Sequence, residues 1–348
     1  MEMNQSDTSQ SEIQRSGVLA GGSWIVDQVK IIDTYPSQDQ LANIFSEAQG
    51  TGGSPFNILI DLSSLNASFP LQGCGKIGMD SQGDWILDLC GKSKINTDLL
   101  DRDADLSTSY TDVFTVRSTG RRTFFHQRGA NAKWDGRELD FKKTQAKIFH
   151  IGYLLLLDAL DAADDEFGTK AARLLKRAQD AGLKTSIDVV SEDSDRFASI
   201  VNPALKFTDY AILNEIEAGK TTGFKIRDNN NALNKSDLKK AVDAMFESGV
   251  KELVVVHFPE GAYAKSANGE EIFQPSLNIP DSFIKGGAGA GDAFCAGTLL
   301  GIHDNLPLER SLQIGVGAAA TCLSHPTCTE GVGSQEEIES LISKYGFR

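Results

Sequence analysis

The middle and end of the chain alternate between two patterns of hydrophobic and polar positions. Short runs rich in β-branched apolar residues predict buried strands, and runs with apolar residues three and four positions apart predict helices. The predicted strands cover residues 147–157, 185–190, 210–213 and 252–256. The predicted helices cover residues 171–181, 193–200, 238–246, 291–303 and 306–323, and a last helix opens with the capping pair Ser334 and Glu337. This alternation predicts a mostly parallel sheet with helices on both faces.

One segment departs from the α/β alternation. Residues 111–127 alternate around the turn Ser118-Thr119-Gly120-Arg121, which predicts an antiparallel hairpin. Inserted between α/β units, the hairpin is either a lid over a ligand or an edge hairpin without function. Because ligands of parallel sheets bind beyond the carboxyl ends of the strands, site residues are expected in the loops that follow strands.

Composition and charge exclude several classes of partner. The 348 residues carry a formal net charge of −14 without a Lys/Arg run, so neither nucleic acid nor an anionic membrane surface is expected as a partner. The longest apolar run, residues 151–157, is too short to span a bilayer. Residues 1–16 are polar and mixed in charge, which predicts a disordered tail and not a signal peptide.

The five cysteines are scattered and form no CxxC pair. An odd number of isolated cysteines predicts reduced thiols in a cytoplasmic protein.

The clearest chemical signal is the small-residue run 286–291, followed by Asp292 and apolar helical sequence. Small residues let the backbone approach a ligand, and the start of a helix offers free N–H groups that suit a phosphate. Asp292 falls in the first helical turn, close to any hydroxyl that attacks that phosphate. The alternative is an ordinary tight turn. The run does not have the spacing of a dinucleotide-binding fingerprint, and Gly219-Lys220-Thr221 lacks the first glycine of a P-loop.

Gly289-Ala290-Gly291-Asp292-Ala293-Phe294, with Ala296-Gly297, resembles the C-terminal signature of the ribokinase-like (PfkB) family of sugar and nucleoside kinases. Gly52-Gly53-Ser54-Pro55-Phe56-Asn57 resembles the family's N-terminal Gly-Gly-x-x-x-Asn, where sugar hydroxyls bind. By residue type, Ser54 is predicted to be the N-cap and Pro55 the first helical residue of the helix that follows.

Three internal segments also resemble the family, in the same order: Gly78-Met79-Asp80 with Gly83, residues 120–131, and Asn214-Glu215-Ile216-Glu217. The resemblance covers about residues 20–330. It implies a three-layer α/β/α sandwich with a mostly parallel central sheet and a small β lid. A single kinase domain is expected over residues 17–348, with the lid formed by segments within about 28–52 and 107–130.

The resemblance implies transfer of the γ-phosphate of ATP to a hydroxyl of a small sugar. Asp292 would orient or deprotonate the hydroxyl, and the backbone N–H groups of Gly289, Ala290 and Gly291 would bind the transferred phosphoryl group. A helix N-terminus is expected to lower the pKa of Asp292. Orientation, with late proton uptake, is therefore favoured over early deprotonation.

The remaining site predictions also follow from the resemblance. The residues expected to bind the acceptor are Asp27, Gly52, Gly53, Asn57, Arg128 and Asp158. Those expected at the nucleotide are Asp188, Asn214, His257, Gly261, Gly287 and Ala318. Mg²⁺ is expected near Asn214 and Glu217, largely through water, and a monovalent cation such as K⁺ is left open. Four of these residues have structural alternatives: a solvated carboxylate for Asp27, a helix cap for Asp158, a surface ion pair for Arg128 and a structural role for His257.

The nucleotide side departs from the family pattern. Gly286-Gly287-Ala288 lacks the usual hydroxyl, residues 256–261 keep only the last glycine of the nucleotide loop, and Ala318 stands where an asparagine is frequent. Two alternatives to a sugar kinase therefore stay open, a nucleoside kinase and a non-catalytic sugar- or nucleotide-sensing protein. The possible walls of a nucleoside base pocket are Trp24, Phe56 and Phe125. The only cations available for a phosphosugar are Arg121, Arg122 and Arg128, and the lid is a candidate contact for a homodimer.

Overall fold

The computed structural model describes residues 15–348, and its elements follow the alternation of the sequence. The strands of this part of the chain are β1 Val18–Gly22, β2 Ile25–Ile32, β3 Ile44–Gly52, β4 Leu71–Gly78, β5 Ile95–Asp103, β6 Ser109–Val116, β7 Arg122–Gln127, β8 Ile148–Leu154, β9 Ala163–Asp164, β10 Gly168–Thr169, β11 Lys184–Val189, β12 Tyr210–Asn214, β13 Leu253–Phe258, β14 Gly261–Ser266 and β15 Glu271–Pro275. The helices are α1 Ser54–Ser64, α2 Ser81–Lys92, α3 Asp158–Asp161, α4 Lys170–Asp180, α5 Phe197–Leu205, α6 Glu215–Thr222, α7 Lys235–Glu247, α8 Ala290–His303, α9 Leu308–Cys322 and α10 Gln335–Tyr345.

The central sheet has nine strands in the order β15-β14-β13-β12-β11-β8-β1-β4-β5. The strands from β13 to β5 pair in parallel, whereas β14 and β15 extend one edge in antiparallel pairing. Side chains along a strand alternate between two hydrophobic clusters: Tyr210 and Ile212 belong to one, and Ala211 and Leu213 to the other. Helices cover both clusters, so the predicted mostly parallel sheet between two helical layers is confirmed.

A second sheet, which we call the lid sheet, has the order β3-β2-β6-β7. Its strands lie in or next to the two segments for which the sequence predicts a lid, although β2 begins at Ile25, three residues before the first segment. Strands β6 and β7 form the expected antiparallel hairpin. Strand β2 pairs in parallel with β6 and antiparallel with β3. Since β3 ends at Gly52, directly before α1, the base of the lid sheet leads into the helix that carries the N-terminal signature.

The start of one helix differs from the prediction. Helix α5 begins at Phe197 and not near residue 193, because Glu192 accepts hydrogen bonds from Arg196 and Ser194 and holds the preceding residues in a loop. The last helix has the predicted capping box, in which Ser334 and Glu337 bond each other's backbone N–H groups.

The predicted tail, residues 1–16, lies mostly outside the described residues. Its last two residues are bound to the domain: Arg15 Nη2 donates to the carbonyl oxygen of Ala181 at 2.6 Å, and Ser16 N donates to that of Gln145 at 2.9 Å. The ordered domain therefore begins at least two residues before the predicted boundary.

The five cysteines are buried and have free thiols. Among residues 15–348, no helix combines the length and apolar character needed to cross a bilayer.

Candidate active site

The glycine loop ahead of α8 is shaped by close approaches to its neighbours. Gly289 is the N-cap of α8 with φ 77°, and a Cβ there would overlap the carbonyl oxygen of Cys328. A Cβ on Gly291 would lie 3.2 Å from Cε1 of His257. The first N–H groups of a helix have no partner within it. The loop therefore brings unpaired N–H groups to a position that an anion can occupy.

Asp292 lies in the first turn of α8 and is only 4% exposed. Asn57 Nδ2 donates to its Oδ2 at 2.8 Å, and the Tyr153 hydroxyl is 2.7 Å from both carboxylate oxygens. Burial raises the pKa of Asp292 to about 6, although the hydrogen bonds from Asn57 and Tyr153 act in the opposite direction. The expected lowering by the helix terminus is therefore wrong, because the loss of hydration outweighs the favourable dipole.

Tyr153 is a site residue that sequence reasoning missed. It lies near the carboxyl end of β8, in the interior of the site, next to Asp292. Burial and the negative charges of Asp292 and Asp188 hold its pKa well above the usual range, so its hydroxyl stays a donor. The sequence did contain a signal for Tyr153, because it lies near the end of a predicted buried strand, where ligands of parallel sheets bind.

The N-terminal signature forms the start of α1. Gly53 is the N-cap with φ 82°, a conformation that favours glycine, and a Cβ there would overlap the carbonyl oxygen of Ser23. The predicted Ser54 cap is wrong, because the Ser54 hydroxyl instead lies 3.1 Å from His150 Nε2 and 3.2 Å from Asp188 Oδ2. Helix α1 begins at Ser54 and carries Asn57 on its buried side.

Asp27 projects from β2 of the lid sheet. A Cβ on Gly52 would overlap the carboxylate of Asp27. Only a glycine at position 52 therefore leaves enough space for the Asp27 side chain. Burial raises the pKa of Asp27 to about 7, against the hydrogen bonds from Cys328 and Thr111, which lower it. The Cys328 thiol lies 3.6 Å from Asp27 Oδ2. Asp27 is therefore a half-buried carboxyl group that titrates near neutral pH.

A cavity of about 400 Å³, which we call the polar cavity, brings most of the predicted residues together. Its lining includes Asp27, Gly53, Asn57, Asp188, Asn214, Glu217, His257, Gly287, Gly289, Gly291 and Asp292. Three predicted acceptor residues do not line it. Gly52 lies against the carboxylate of Asp27, and Arg128 and Asp158 pair with each other, with Nη1 and Oδ1 3.0 Å apart. That ion pair is the structural alternative considered for Arg128, and Asp158 lies in the first turn of α3.

The cation that does line the polar cavity is Arg122, on β7 of the lid sheet. Its Nη2 lies 3.8 Å from the position that a Cβ on Gly287 would take, so the guanidinium group reaches the glycine loop. Its neighbour Arg121 does not line the cavity. Arg122 is the first residue of β7, whereas Arg121 lies in the turn segment before the strand.

Acidic and amide side chains also converge in the lining of the polar cavity. Asn214 caps α6 in a capping box with Glu217, and Ser191 Oγ donates to Glu217 Oε1 at 2.6 Å. Burial raises the pKa of Glu217 to about 7, and burial together with the charges of Glu217 and Asp292 holds that of Asp188 well above its usual range. A divalent cation would offset this repulsion between buried carboxylates.

The donor set fits a hydrated magnesium ion. Within residues 15–348, no three His, Cys, Asp or Glu side chains converge closely enough to hold a metal directly. Mg²⁺ usually keeps several waters and takes one or two protein carboxylates. Asp188 and Glu217, with the amide of Asn214, match that requirement, so the predicted water-mediated arrangement is compatible with the residues present.

A second cavity of about 360 Å³, which we call the apolar cavity, meets the polar cavity at Gly291 and His257. Most of its walls are aliphatic or aromatic, and Gly261 lies in its lining. Burial lowers the pKa of His257 to about 4, so this histidine is neutral near pH 7. Its ring packs against Phe294, with centroids 5.0 Å apart.

Ala318 does not line the apolar cavity. It is completely buried, while the neighbouring residues of α9 that face the cavity are Val316, Ala319, Ala320 and Leu323. One residue corresponds to about 100° of rotation around a helix, so a prediction displaced by one position falls on the wrong face.

The aromatic residues named for a nucleoside base pocket lie elsewhere. Trp24 and Phe56 are fully buried and pack on each other, with ring centroids 5.3 Å apart. Phe125 is 51% exposed and does not line the polar cavity. Phe124 and His126 of the lid sheet line it instead.

Comparison with known proteins agrees with this geometry. The model of the pfkB family of carbohydrate kinases matches residues 23–334. The chain is 22% identical to a 5-dehydro-2-deoxygluconokinase of Geobacillus thermodenitrificans, over 84% of this chain and 83% of that protein. It superposes on Arabidopsis thaliana ribokinase, solved with ribose and ATP, with a TM-score of 0.76 at 20% identity, over 94% and 99% of the two chains. An Escherichia coli protein named ribokinase II, solved with ATP and Mg²⁺, gives 0.74 at 19% identity, over 95% and 100%.

Proposed function

Because the chain belongs to the pfkB family of carbohydrate kinases, we propose that it transfers the γ-phosphoryl group of ATP to a hydroxyl of a small sugar. The observation that carries this proposal is the position of Asp292. This carboxylate lies beside the free N–H groups at the start of α8, near the line where the polar and apolar cavities meet. An acceptor in one cavity and a nucleotide in the other would present their reacting atoms next to it.

In the polar cavity, Asp292 accepts a hydrogen bond from the attacking sugar hydroxyl. Its pKa of about 6 leaves it ionised at neutral pH and able to take the proton as the new O–P bond forms. Asn57 and Tyr153 hold the carboxylate in place, so the hydroxyl meets a base of fixed orientation. Asp27, when ionised, can accept hydrogen bonds from two further hydroxyls of the sugar.

The start of α8 and Arg122 would bind the phosphoryl group in transfer. The N–H groups of Ala290 and Gly291 offer donors at a helix N-terminus, where negative charge is favoured. Arg122 reaches the same loop from the lid sheet and adds a positive charge. Such preorganised donors account for much of the catalysis of phosphoryl transfer.

Magnesium would be held mainly through water by Asp188, Asn214 and Glu217. Bound there, the ion supplies positive charge to the nucleotide phosphates. The ionised forms of Asp188 and Glu217 would be favoured when the ion is present, because it offsets their mutual repulsion. The family resemblance also leaves a monovalent cation open, and replacing K⁺ by Na⁺ in the assay tests that dependence.

The apolar cavity would hold the adenine. Aliphatic walls favour the faces of a purine ring. His257 and Gly291 line both cavities, so phosphates of a nucleotide bound here would extend toward Asp292. Neutral His257, on β13, is a candidate donor to those phosphates. It could replace the usual hydroxyl that Gly286-Gly287-Ala288 lacks.

A sugar is favoured over a nucleoside as the acceptor. The polar cavity carries the carboxylates of Asp27 and Asp292 for hydroxyl groups, while Trp24, Phe56 and Phe125 do not provide the walls expected for a base. Arg122 could also pair with one carboxylate of a sugar acid, which is the substrate class in the name of the Geobacillus relative.

The test is an ATP-dependent transfer assay with D-ribose, 5-dehydro-2-deoxygluconate and adenosine, each paired with a thermal-shift measurement. We expect a sugar or sugar acid both to stabilise the protein and to be phosphorylated. Preferred turnover of adenosine would support the nucleoside kinase alternative. Stabilisation by a sugar without any transfer would support the non-catalytic sensor and contradict the proposal.

Two further proposals concern the whole molecule. Apolar side chains on the lid sheet, including Ile44, Phe45 and Phe125, are exposed and would be covered in a homodimer formed through this sheet. Light scattering at several protein concentrations tests the dimer. The five free thiols support a cytoplasmic location, where cysteines stay reduced.

A further inference from the structure

A second buried carboxyl group, Asp61, lies behind the site. It follows Asn57 by four residues on α1, and it is 0% exposed. Within the described part of the chain, neither Asp61 carboxyl oxygen has a hydrogen-bond partner, and Oδ1 of Asn57 also lacks one. Buried polar atoms are seldom left unpaired, so these three acceptors require an explanation.

Helix geometry brings the two side chains together. Residues four apart lie one above the other on the same helical face, and the later side chain leans toward the helix N-terminus. The carboxyl group of Asp61 therefore leans toward the amide of Asn57. Helix α8 packs against α1, and Asp292 on α8 is the charged group whose field reaches Asp61. The thiols of Cys295 on α8 and Cys322 on α9 are also close, and burial keeps both in the neutral form.

The orientation of the Asn57 amide is set by Asp292. Because Nδ2 donates to Asp292 Oδ2 at 2.8 Å, the amide oxygen Oδ1 points away from that carboxylate. An ionised Asp61 would leave this oxygen facing only other acceptors and would bury a second negative charge near Asp292. A single proton on Asp61 converts one of its oxygens into a donor and resolves the conflict.

We propose that Asp61 is a positioning residue: as a carboxylic acid it donates to Oδ1 of Asn57 and fixes the amide that holds Asp292. The three side chains then form a directional series, from the Asp61 hydroxyl to the Asn57 oxygen and from the Asn57 amide to the Asp292 carboxylate. Burial and the charge of Asp292, which together hold the pKa of Asp61 well above its usual range, agree with this protonation state. The effect on turnover rests on the proposed kinase function, whereas the protonation state does not.

The protonation state is tested by infrared spectroscopy near pH 8, where exposed carboxyl groups are ionised. We expect C=O absorption from protonated carboxylic acids in the wild-type protein, to which buried Asp188 also contributes, and the loss of one carboxyl group's share of it in Asp61→Asn. The matched control is Asp88→Asn, at a surface carboxylate with a side chain 60% exposed, which should leave the band unchanged. An unchanged band in Asp61→Asn would overturn the proposal, even if the protein turns out not to be a kinase.

The positioning role is tested by the pH dependence of kcat/KM in Asp61→Ala and Asp61→Asn. In Asp61→Ala the Asn57 amide is released and its bond to Asp292 weakens. We expect kcat to fall about tenfold and the acid limb to move to higher pH. The amide of Asp61→Asn can donate to Asn57, so this variant should restore most of the turnover and the wild-type acid limb.

Two results would contradict the positioning role. A shift of the acid limb to lower pH in Asp61→Asn would show that the wild-type residue is ionised, because removing a nearby negative charge lowers the pKa of Asp292. An unmoved acid limb in a folded Asp61→Ala would show that Asn57 is held without it. If Asp61→Ala does not fold, the proposal is tested by the infrared band and by the acid limb of the pH profile, both measured in Asp61→Asn.

Discussion

The polar and apolar cavities meet at Gly291 and His257, yet they are built on different principles. The polar cavity depends on a few side chains whose identity and angle matter, such as Asp292 held by Asn57 and Tyr153. The apolar cavity depends on shape, which many combinations of aliphatic residues can produce. The difference teaches that motifs locate most of the polar side chains of such a site, whereas in the apolar cavity they locate Gly261 and His257 but not the aliphatic walls.

The largest expected effect belongs to the polar cavity. Asp292→Asn removes the base but keeps the size of the side chain, so kcat should fall by about 10²- to 10⁴-fold. ATP affinity, measured by titration calorimetry, should change little because the apolar cavity is untouched. The control Asp88→Asn should keep wild-type turnover. Near-normal kcat in Asp292→Asn would remove the basis of the proposed mechanism.

A change in the apolar cavity should act on binding and not on chemistry. Ala319→Phe fills part of this cavity, so the KM for ATP should rise about tenfold while the KM for the sugar stays near its original value. Gln313→Phe, on the same helix but outside the cavity lining, is the matched control. Equal changes in both KM values would show that the two cavities do not divide the substrates as proposed.

Tyr153→Phe tests how the Asp292 carboxylate is tuned. The Tyr153 hydroxyl favours the ionised form, so its removal should raise the pKa of Asp292 from about 6 by about one unit. Activity should then be lost as pH falls through a higher value, with about a fivefold loss at pH 6 and a small loss at pH 8. The pH profile of kcat/KM measures this shift, and a parallel loss at all pH values would argue against it.

The smallest expected effect concerns the lid sheet. The positive charge of Arg122 favours ionised Asp27, whose pKa is about 7, so Arg122→Gln should raise that pKa and weaken hydrogen bonds to the sugar hydroxyls. The KM for the sugar should rise about threefold near pH 7, a modest change because the arginine is exposed to solvent. The adjacent Arg121→Gln, which does not line the cavity, should have no such effect. Equal effects of the two substitutions would exclude a specific role for Arg122.

Much of the fold could be predicted because periodic patterns report burial. The predicted strands β8, β11, β12 and β13 and helices α4, α7, α8 and α9 lie close to their predicted positions, since each buries one face in a continuous core. Helix α6 and strands β14 and β15 were not predicted. The start of α5 was missed because the side chain of Glu192 organises a loop, and that choice depends on local hydrogen bonds and not on periodicity.

The convergence of residues on the polar cavity was predictable where motifs combine special backbone geometry with a reactive side chain, as at Gly53, Asn57 and Asp292, whose roles stay predictions. Tyr153 was missed because nothing in the local sequence shows that its hydroxyl meets a residue 139 positions away. The rise in the Asp292 pKa depends on burial by the whole fold, which a helix dipole considered alone does not include.

Other errors had equally physical causes. Ala318 is one helical position from the residues that face the apolar cavity, and sequence spacing alone does not give the rotation of α9. Arg128 and Asp158 have suitable chemistry for an acceptor site, but their proximity in space makes them partners of each other.

The thiol of Cys328 lies inside the polar cavity, beside the carboxylate of Asp27. Burial and that neighbouring negative charge hold its pKa well above the usual range, so the nucleophilic thiolate is scarce at physiological pH. A cysteine at this position is therefore poorly suited to attack electrophiles or peroxide. Burial, with a smaller contribution from the carboxylate that is proposed to bind the sugar, thus lowers the reactivity of this thiol toward alkylation and oxidation.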